Sequence, residues 1–343
     1  MTLFASLLKE ELEAASVPMY GFVDLARCQE LYESHFHQYQ SWIENGHHGS
    51  MHYLVRGLER RKDILKVFPK TKSILTVGIP YATQPLGTES IRYARYLRGV
   101  DREDYHTALP RLIEELLEPL RSKVSGLDYK VCVDTSAVLE RTWGALCGLG
   151  WIGKNKMLIH SKLGSYFFIG VALMNQPTDQ GPVLIPSYCG QCTRCLTACP
   201  TNAFTESGQL NSNQCISYLT LEKRVESNNS EKTKNDLKWD KEARVASEKR
   251  LNAPLKGFVA GCDLCQEVCP FNFKRTKAER NLVEEDPDEI LTDIHALIDE
   301  TEEDYRKRVR KTALSRVKPD MWRRNLMTVL DQASPEKKEL PKN

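Results

Sequence analysis

Two short blocks hold seven of the chain's eleven cysteines, and an eighth lies between them. The first block is Cys189-Gly-Gln-Cys192-Thr-Arg-Cys195-Leu-Thr-Ala-Cys199-Pro200. Its gaps of two, two and three residues, closed by proline, are the bacterial ferredoxin spacing for iron–sulfur ligands. The second block, Cys262-Asp-Leu-Cys265-Gln-Glu-Val-Cys269-Pro270, keeps that register with its first cysteine missing, since Val259 stands in its place. Cys215 makes up the deficit and completes two four-cysteine sets. In modules of this kind the fourth cysteine of each run serves the other cluster. That assigns Cys189, Cys192, Cys195 and Cys269 to one [4Fe–4S] cluster, and Cys199, Cys215, Cys262 and Cys265 to the second. The chemistry implied is low-potential one-electron transfer.

Zinc is the rival ligand, because paired cysteines two residues apart also make zinc knuckles. Zinc sites separate their pairs by longer loops and do not require the closing Cys-Pro. Disulfides are disfavoured: the N-terminus, Met1-Thr-Leu-Phe-Ala-Ser, shows no charged region followed by an apolar stretch. The chain therefore reads as cytoplasmic. Cys28, Cys132 and Cys147 read as small buried apolar residues.

These ligands must be positioned by a chain of 343 residues, long enough for two domains or one domain with an inserted module. Apolar and charged contents of 41% and 27% are ordinary for a globular protein. No apolar run approaches the roughly 20 residues of a membrane helix, so no membrane association is expected. The net charge of +2 does not announce a nucleic acid. Locally, residues 305–325 are strongly basic after an acidic stretch, which reads either as compensating solvated helices or as a surface for phosphates.

Apolar spacing predicts an amphipathic helix over residues 3–15 and further helices over 107–123 and 136–148. Strands are predicted at Ser73–Pro80, Tyr129–Asp134, Met157–His160 and Tyr166–Met174. Alternating strands and helices indicate an α/β (α+β) layer domain over residues 1–186. The cysteine module follows at 187–273, with a polar insertion at 222–249, and a helical region closes the chain at 274–343. No Gly-x-Gly-x-x-Gly fingerprint sits between a strand and a helix, so a fused nicotinamide domain is not expected.

Several short segments together resemble the epoxyqueuosine reductase family, cobalamin-dependent iron–sulfur enzymes of tRNA modification. They are Asp104-Tyr105-His106, Val133-Asp134-Thr135, Gly150-Trp-Ile-Gly-Lys-Asn155, Gly164-Ser-Tyr-Phe-Phe168, Cys215-Ile-Ser-Tyr-Leu-Thr220 and both cysteine blocks. The resemblance covers about residues 1–330. It implies a nitroreductase-like cobalamin-binding fold ahead of a two-cluster ferredoxin-like module. It also implies a base-off cobalamin, an external low-potential electron donor and a tRNA carrying epoxyqueuosine, reduced to queuosine by a chain expected to be monomeric.

By position, the resemblance makes Asp134 the proton donor and a cofactor contact, with a carboxyl pKa raised beside a buried corrin. From the residues alone, Asp134 reads equally as a cap of the following helix. Arg61, Leu158, Ile169, Ser217, Cys262 and Asp263 match cofactor contacts. Tyr105, His106, Lys154 and Asn155 are candidates for the pocket wall or substrate contacts, with His106 able to hold Asp134. Arg92, Arg95, Arg98 and Arg102, at near-helical spacing, and Arg316, Arg323 and Arg324 are candidates for tRNA phosphates. The family's C-terminal helical repeat, expected after Trp322-Arg-Arg-Asn325, is mostly missing before Asn343. Two alternatives stay open at this stage: a dehalogenase-like cobalamin reductase of a small molecule, and an electron-transfer module without its own catalysis.

The count of ligands is directly testable. Cys215→Ala should lower the iron content of anaerobically purified protein from two clusters towards one, by about half. Unchanged iron would remove Cys215 from the ligand set.

Overall fold

A computed structural model describes residues 2–81, 83–100, 103–225, 250–273 and 294–333. A four-stranded antiparallel sheet organises the first half of the chain. Its strands are β1 (Met19–Asp24), β2 (Ser73–Pro80), β3 (Tyr129–Cys132) and β4 (Phe167–Met174), in the order β1-β2-β4-β3. Alternation along the strands sends side chains to opposite faces. Leu75, Val77, Ala172 and Met174 meet α1 (Leu3–Ala14) and α2 (Tyr105–Lys123) through Leu8, Leu12, Leu109, Ile113 and Leu117. Ile74, Val171 and Leu173 face the other way, onto Trp143 and Leu146 of α3 (Glu140–Leu146). The result is a sheet with helices on both faces, each covered by its own apolar core.

The helix expected at 136–148 is shorter than its periodicity suggests: residues 135–139 form an irregular approach to α3. The C-terminal end of α3 lies close against the sheet edge. A side chain on Gly21 would meet the Cys147 carbonyl oxygen at 1.9 Å, so only glycine allows that approach.

A second core joins parts of the chain that are distant in sequence. Leu86, Ile91, Tyr93 and Leu97 pack with α4 (Ile216–Leu221), the strand Phe258–Ala260, α5 (Glu302–Val309) and α6 (Pro319–Ala333). The strand pairs parallel with Arg92–Tyr93. The stretch read as helically spaced arginines is thus a short strand followed by a 3₁₀ turn at Arg95–Arg98. Arg102 and the insertion from residue 226 to 249 lie outside the described residues. Among the described residues no helix is long and apolar enough to cross a membrane.

The packing of α6 corrects the expectation that Arg323 and Arg324 meet tRNA. Both side chains are buried. Arg324 donates to the carbonyls of Lys223 and Leu219, each at 2.7 Å, and Asn325 donates to those of Thr220 and Val259 at 2.8 and 2.9 Å. Arg323 donates to the Glu300 carbonyl. A buried guanidinium satisfying helix-end carbonyls is a structural clamp, and it fixes the segment beginning at Cys215. Arg324→Ala should therefore lower the unfolding free energy by about 3 kcal/mol, measured by chemical denaturation. An unchanged value would show that this clamp carries no net stability.

Candidate active site

Asp134 lies two residues past β3, at the apex of a tight turn closed by the Thr135 N–H donating to the Val133 carbonyl at 2.5 Å. Its φ of +49° is in the left-handed region, which non-glycine residues rarely enter. The side chain is 55% exposed and caps no helix, since α3 begins at Glu140. It accepts from His106 Nε2 at 2.9 Å instead. The other ring nitrogen, Nδ1, is 2.5 Å from Asp104 Oδ1. Asp104 is the cap of α2, accepting from the His106 N–H, and its own N–H donates to the Lys311 carbonyl. One imidazole is thus gripped between two carboxylates, and the grip is built on a helix start.

The aromatic setting orients that ring. Tyr105 stacks on Phe168 with centroids 4.6 Å apart and lies 3.9 Å from the His106 ring, while Tyr96 meets Tyr105 edge-on at 5.9 Å. Arg316, exposed and on the C-terminal side, lies within electrostatic reach of Asp104, His106 and Asp134.

Burial acts to raise the Asp134 carboxyl, but the hydrogen bond and charge of His106, with Arg316, outweigh it and hold the group below its usual value. Asp104 is likewise held low: burial opposes ionisation and the hydrogen bonds from His106 win. Burial acts to lower His106, yet its bonds to Asp104 and Asp134 leave it raised. The raised carboxyl expected for Asp134 is therefore corrected: pairing with His106 holds it low. The charges of His106 and Asp134 stabilise one another.

Glu140, which nothing in the sequence had marked, is pushed up to about 8 by burial, with the nearby charge of Asp134 adding to the effect. Its Oε1 is buried and has no hydrogen-bond partner. Arg61 is only 7% exposed, its Nη1 also lacks a partner, and its guanidinium lies 5.9 Å from the Tyr39 ring. The charge of Arg61 also reaches Glu140, where it partly opposes the effect of burial. Leu158 is buried beneath Gly144, and Ile169 is half-buried in the same core.

The eight cysteines named in the sequence lie near one another in the fold. Cys195 and Cys269 lie within electrostatic reach of Cys189, and Cys269 also of Cys192. Cys215 neighbours Cys199, Cys262 neighbours both, and Cys265 neighbours Cys262 and Cys215 and also reaches Cys195. Among the described residues no three such donors converge tightly enough for a single metal ion.

Other expected contacts are engaged elsewhere. Asp263 is buried, accepting from the Arg95 N–H at 2.7 Å, from Arg95 Nη1 at 3.1 Å and from Gln266 at 2.9 Å. Arg95 also pairs with Glu267 at 2.8 Å, as does Arg92 at 2.6 Å, while Arg98 donates to the carbonyls of Gln84 and Pro85. Arg92 and Arg95 are therefore internal pairs and not a row for phosphates. Lys154 donates to the Gly190 carbonyl at 2.7 Å, and buried Asn155 to that of Cys265 at 3.4 Å. Both side chains join the cysteine module to the sheet domain, where substrate contact had been expected. Ser217 is half-buried near the start of α4, two residues from Cys215.

Residues 61–135 match the family model described as "Epoxyqueuosine reductase QueG, DUF1730", and residues 188–272 match "4Fe-4S double cluster binding domain". The chain is 34% identical to the epoxyqueuosine reductase of Synechocystis sp. over 288 residues, covering 83% of this chain and 92% of the relative. It is 32% identical to that of Pseudomonas aeruginosa, covering 86% and 77%. A solved epoxyqueuosine reductase holding an epoxyqueuosine-modified tRNA-Tyr stem loop superposes with a TM-score of 0.73 at 26% identity, covering 95% of this chain and 81% of that one. The Bacillus subtilis enzyme, solved with its catalytic loop swung out of the active site, gives 0.72 at 25% identity, covering 95% and 82%.

The electrostatics define a pH window. The stabilisation from raised His106 is complete below the unfolded histidine value of about 6.5 and is lost as pH rises through the folded value. That from Asp104 and Asp134 is complete above about 3.9 and lost as pH falls through their folded values. The triad stabilises the fold most between these limits. Followed by NMR of the imidazole ring, the His106 titration midpoint should lie above that of an exposed histidine and move down in Asp134→Asn. A midpoint indifferent to Asp134 would break the coupling.

Proposed function

Because the chain belongs to the epoxyqueuosine reductase family, an oxidoreductase family, we propose that it reduces the epoxide of epoxyqueuosine in tRNA to the alkene of queuosine. Two electrons and two protons convert the epoxide oxygen to water. The observation that carries this reading is the Asp104–His106–Asp134 chain, a proton store ending in a carboxylate on a strained turn.

The eight cysteines are the proposed cluster ligands, in the two sets of neighbours described above. Arg61 supports a cobalamin site: the buried Nη1 of its guanidinium has no hydrogen-bond partner and suits an amide or phosphate oxygen of such a cofactor, with Leu158, Ile169, Ser217 and the Cys262–Asp263 backbone as further contacts. Because the Asp263 carboxylate is taken by Arg95, only its main chain is available for that contact. When bound, the clusters would supply single electrons and the corrin a strongly reducing cobalt centre.

The chain's own residues manage the protons. As negative charge develops on the departing epoxide oxygen, Asp134 delivers to it the proton received from His106 Nε2, while Nδ1 stays held by Asp104, and solvent supplies the second proton. This departs from a simple raised carboxyl: the acid is the pair, and Asp134 delivers what His106 stores. Arg316, exposed beside the pair, is the residue of the basic C-terminal stretch best placed to meet a tRNA phosphate.

The test is turnover of an epoxyqueuosine-containing anticodon stem-loop by protein with both cofactors and a strong reductant. Wild type should form queuosine, and Asp134→Asn should retain both cofactors while losing at least about 100-fold in rate. An unchanged substrate with the fully loaded wild type would refute the reading, and full activity in the variant would remove Asp134 as proton donor.

A further inference from the structure

Glu222 opens the polar stretch at 222–249, yet it is half-buried and held from both sides. It ends α4, its N–H donating to the Tyr218 carbonyl at 2.9 Å. The carbonyls of Leu219 and Lys223, which flank it, both accept from Arg324 at 2.7 Å. Its Oε1 accepts from the Tyr53 phenol at 3.4 Å. Tyr53 lies on the short helix His52–Arg56 and is 46% exposed. The approach to that helix is tied to α4: the Ser50 N–H donates to Tyr218 Oη at 2.7 Å, and Ser50 Oγ is 2.8 Å from the same oxygen. Two distant stretches of chain are thus locked together around one carboxylate.

That carboxylate belongs to the surroundings of Asp134. The charges of Asp134 and Glu222 both act on Tyr53 and on Tyr96, and the charge of Asp134 acts on Glu222 itself. Arg316 acts on Asp134, His106 and Glu222 alike. Asp134 is engaged by His106, whereas among the described residues no cation stands within ion-pair distance of Glu222. Burial pushes the Glu222 carboxyl above its usual value, against the opposing pull of Tyr53, Arg224 and Arg316. Helix capping does not account for it, because a carboxylate at the C-terminal end meets the negative end of the helix dipole. A half-buried anion of this kind is stabilised by a cation brought to it.

The proposed substrate carries such a cation. Epoxyqueuosine is a 7-deazaguanine whose aminomethyl arm ends in the epoxide-bearing ring. The secondary amine of that arm is protonated at neutral pH and sits on the ring carbon next to the epoxide. An epoxide brought to Asp134 therefore brings an ammonium into the same surroundings. We propose that Glu222, held by Tyr53, is a specificity-determining residue that binds this ammonium while Asp134 serves the epoxide. The inference rests on the reading of epoxyqueuosine as substrate.

Binding of anticodon stem-loops to the holoprotein tests it, with 7-aminomethyl-7-deazaguanine or 7-cyano-7-deazaguanine at the wobble position. The two loops differ only in whether the arm ends in a cation. Wild type should bind the aminomethyl loop about tenfold more tightly, the size of one charge-assisted hydrogen bond. Glu222→Gln should bring the two affinities together by weakening the aminomethyl loop alone, with iron and cobalamin contents unchanged, and Glu222→Asp should restore part of the difference. Tyr53→Phe should reduce the difference with Glu222 intact. In turnover of the epoxyqueuosine loop, Glu222→Gln should raise KM more than it lowers kcat. Equal affinities for the two loops in wild type, or a difference undiminished in Glu222→Gln or in Tyr53→Phe, would overturn the proposal. So would equal weakening of both loops, which marks a merely structural role. The binding measurements need no turnover, so failure of the loaded wild type to form queuosine counts against the functional reading and is told apart from failure here.

Discussion

The buried pair between Arg95 and Asp263 is the constraint on which the two halves of the molecule depend. Asp263 stands between Cys262 and Cys265, and Arg95 follows the short strand at Arg92–Tyr93. The carboxylate takes both the main-chain N–H and the guanidinium of Arg95, while Glu267 takes a further guanidinium contact and that of Arg92. The Arg95 guanidinium also lies 5.1 Å from the Tyr166 ring. Removing either partner would strand a charge in a dry environment, which is far costlier than losing an exposed pair. The pair thereby fixes a cysteine run against the same segment that leads through Tyr96 to Tyr105 and His106.

Two further attachments make the same junction rigid. Lys154 and Asn155, from the loop before Leu158, donate to main-chain carbonyls of both cysteine blocks. Arg324 and Asn325 hold the segment after Cys215 and the strand before Cys262 from the opposite side. All of these bonds act on backbone, which is what positions thiols that come from three separate stretches of chain. With the module held this way, Cys215 and Cys262 share a core with Tyr105, the neighbour of His106, while Cys189 and Cys269 pack with Trp151 and Phe271.

Much of the fold was legible in the sequence. Alternating apolar residues gave Ser73–Pro80 and the strand ending at Met174, and helical spacing gave the helices near residues 3–15 and 107–123, because burying one face imposes a local period. The helix after Asp134 was overread: Ser136, Ala137, Val138 and Leu139 suit a helix in composition, but the turn at Asp134 places them on an irregular path. The arginines from Arg92 to Arg98 misled for a related reason. Their spacing described a helical face, whereas pairing with the strand at Phe258–Ala260 and carboxylates far along the chain drew Arg92 and Arg95 inward.

The sequence by itself marked the double-cluster module, since cluster ligation fixes short gaps along the chain, and it singled out Asp134 and His106 through short segments of recognisable type. Tertiary structure alone decided what those residues do to one another. It placed the imidazole between Asp104 and Asp134, which reverses the expected direction of the Asp134 shift. It left Arg61 and Glu140 with buried, unpartnered atoms and turned Arg324 into a clamp. Each of these depends on groups brought together from distant positions, and burial and pairing act through distance in space, which no local spacing records.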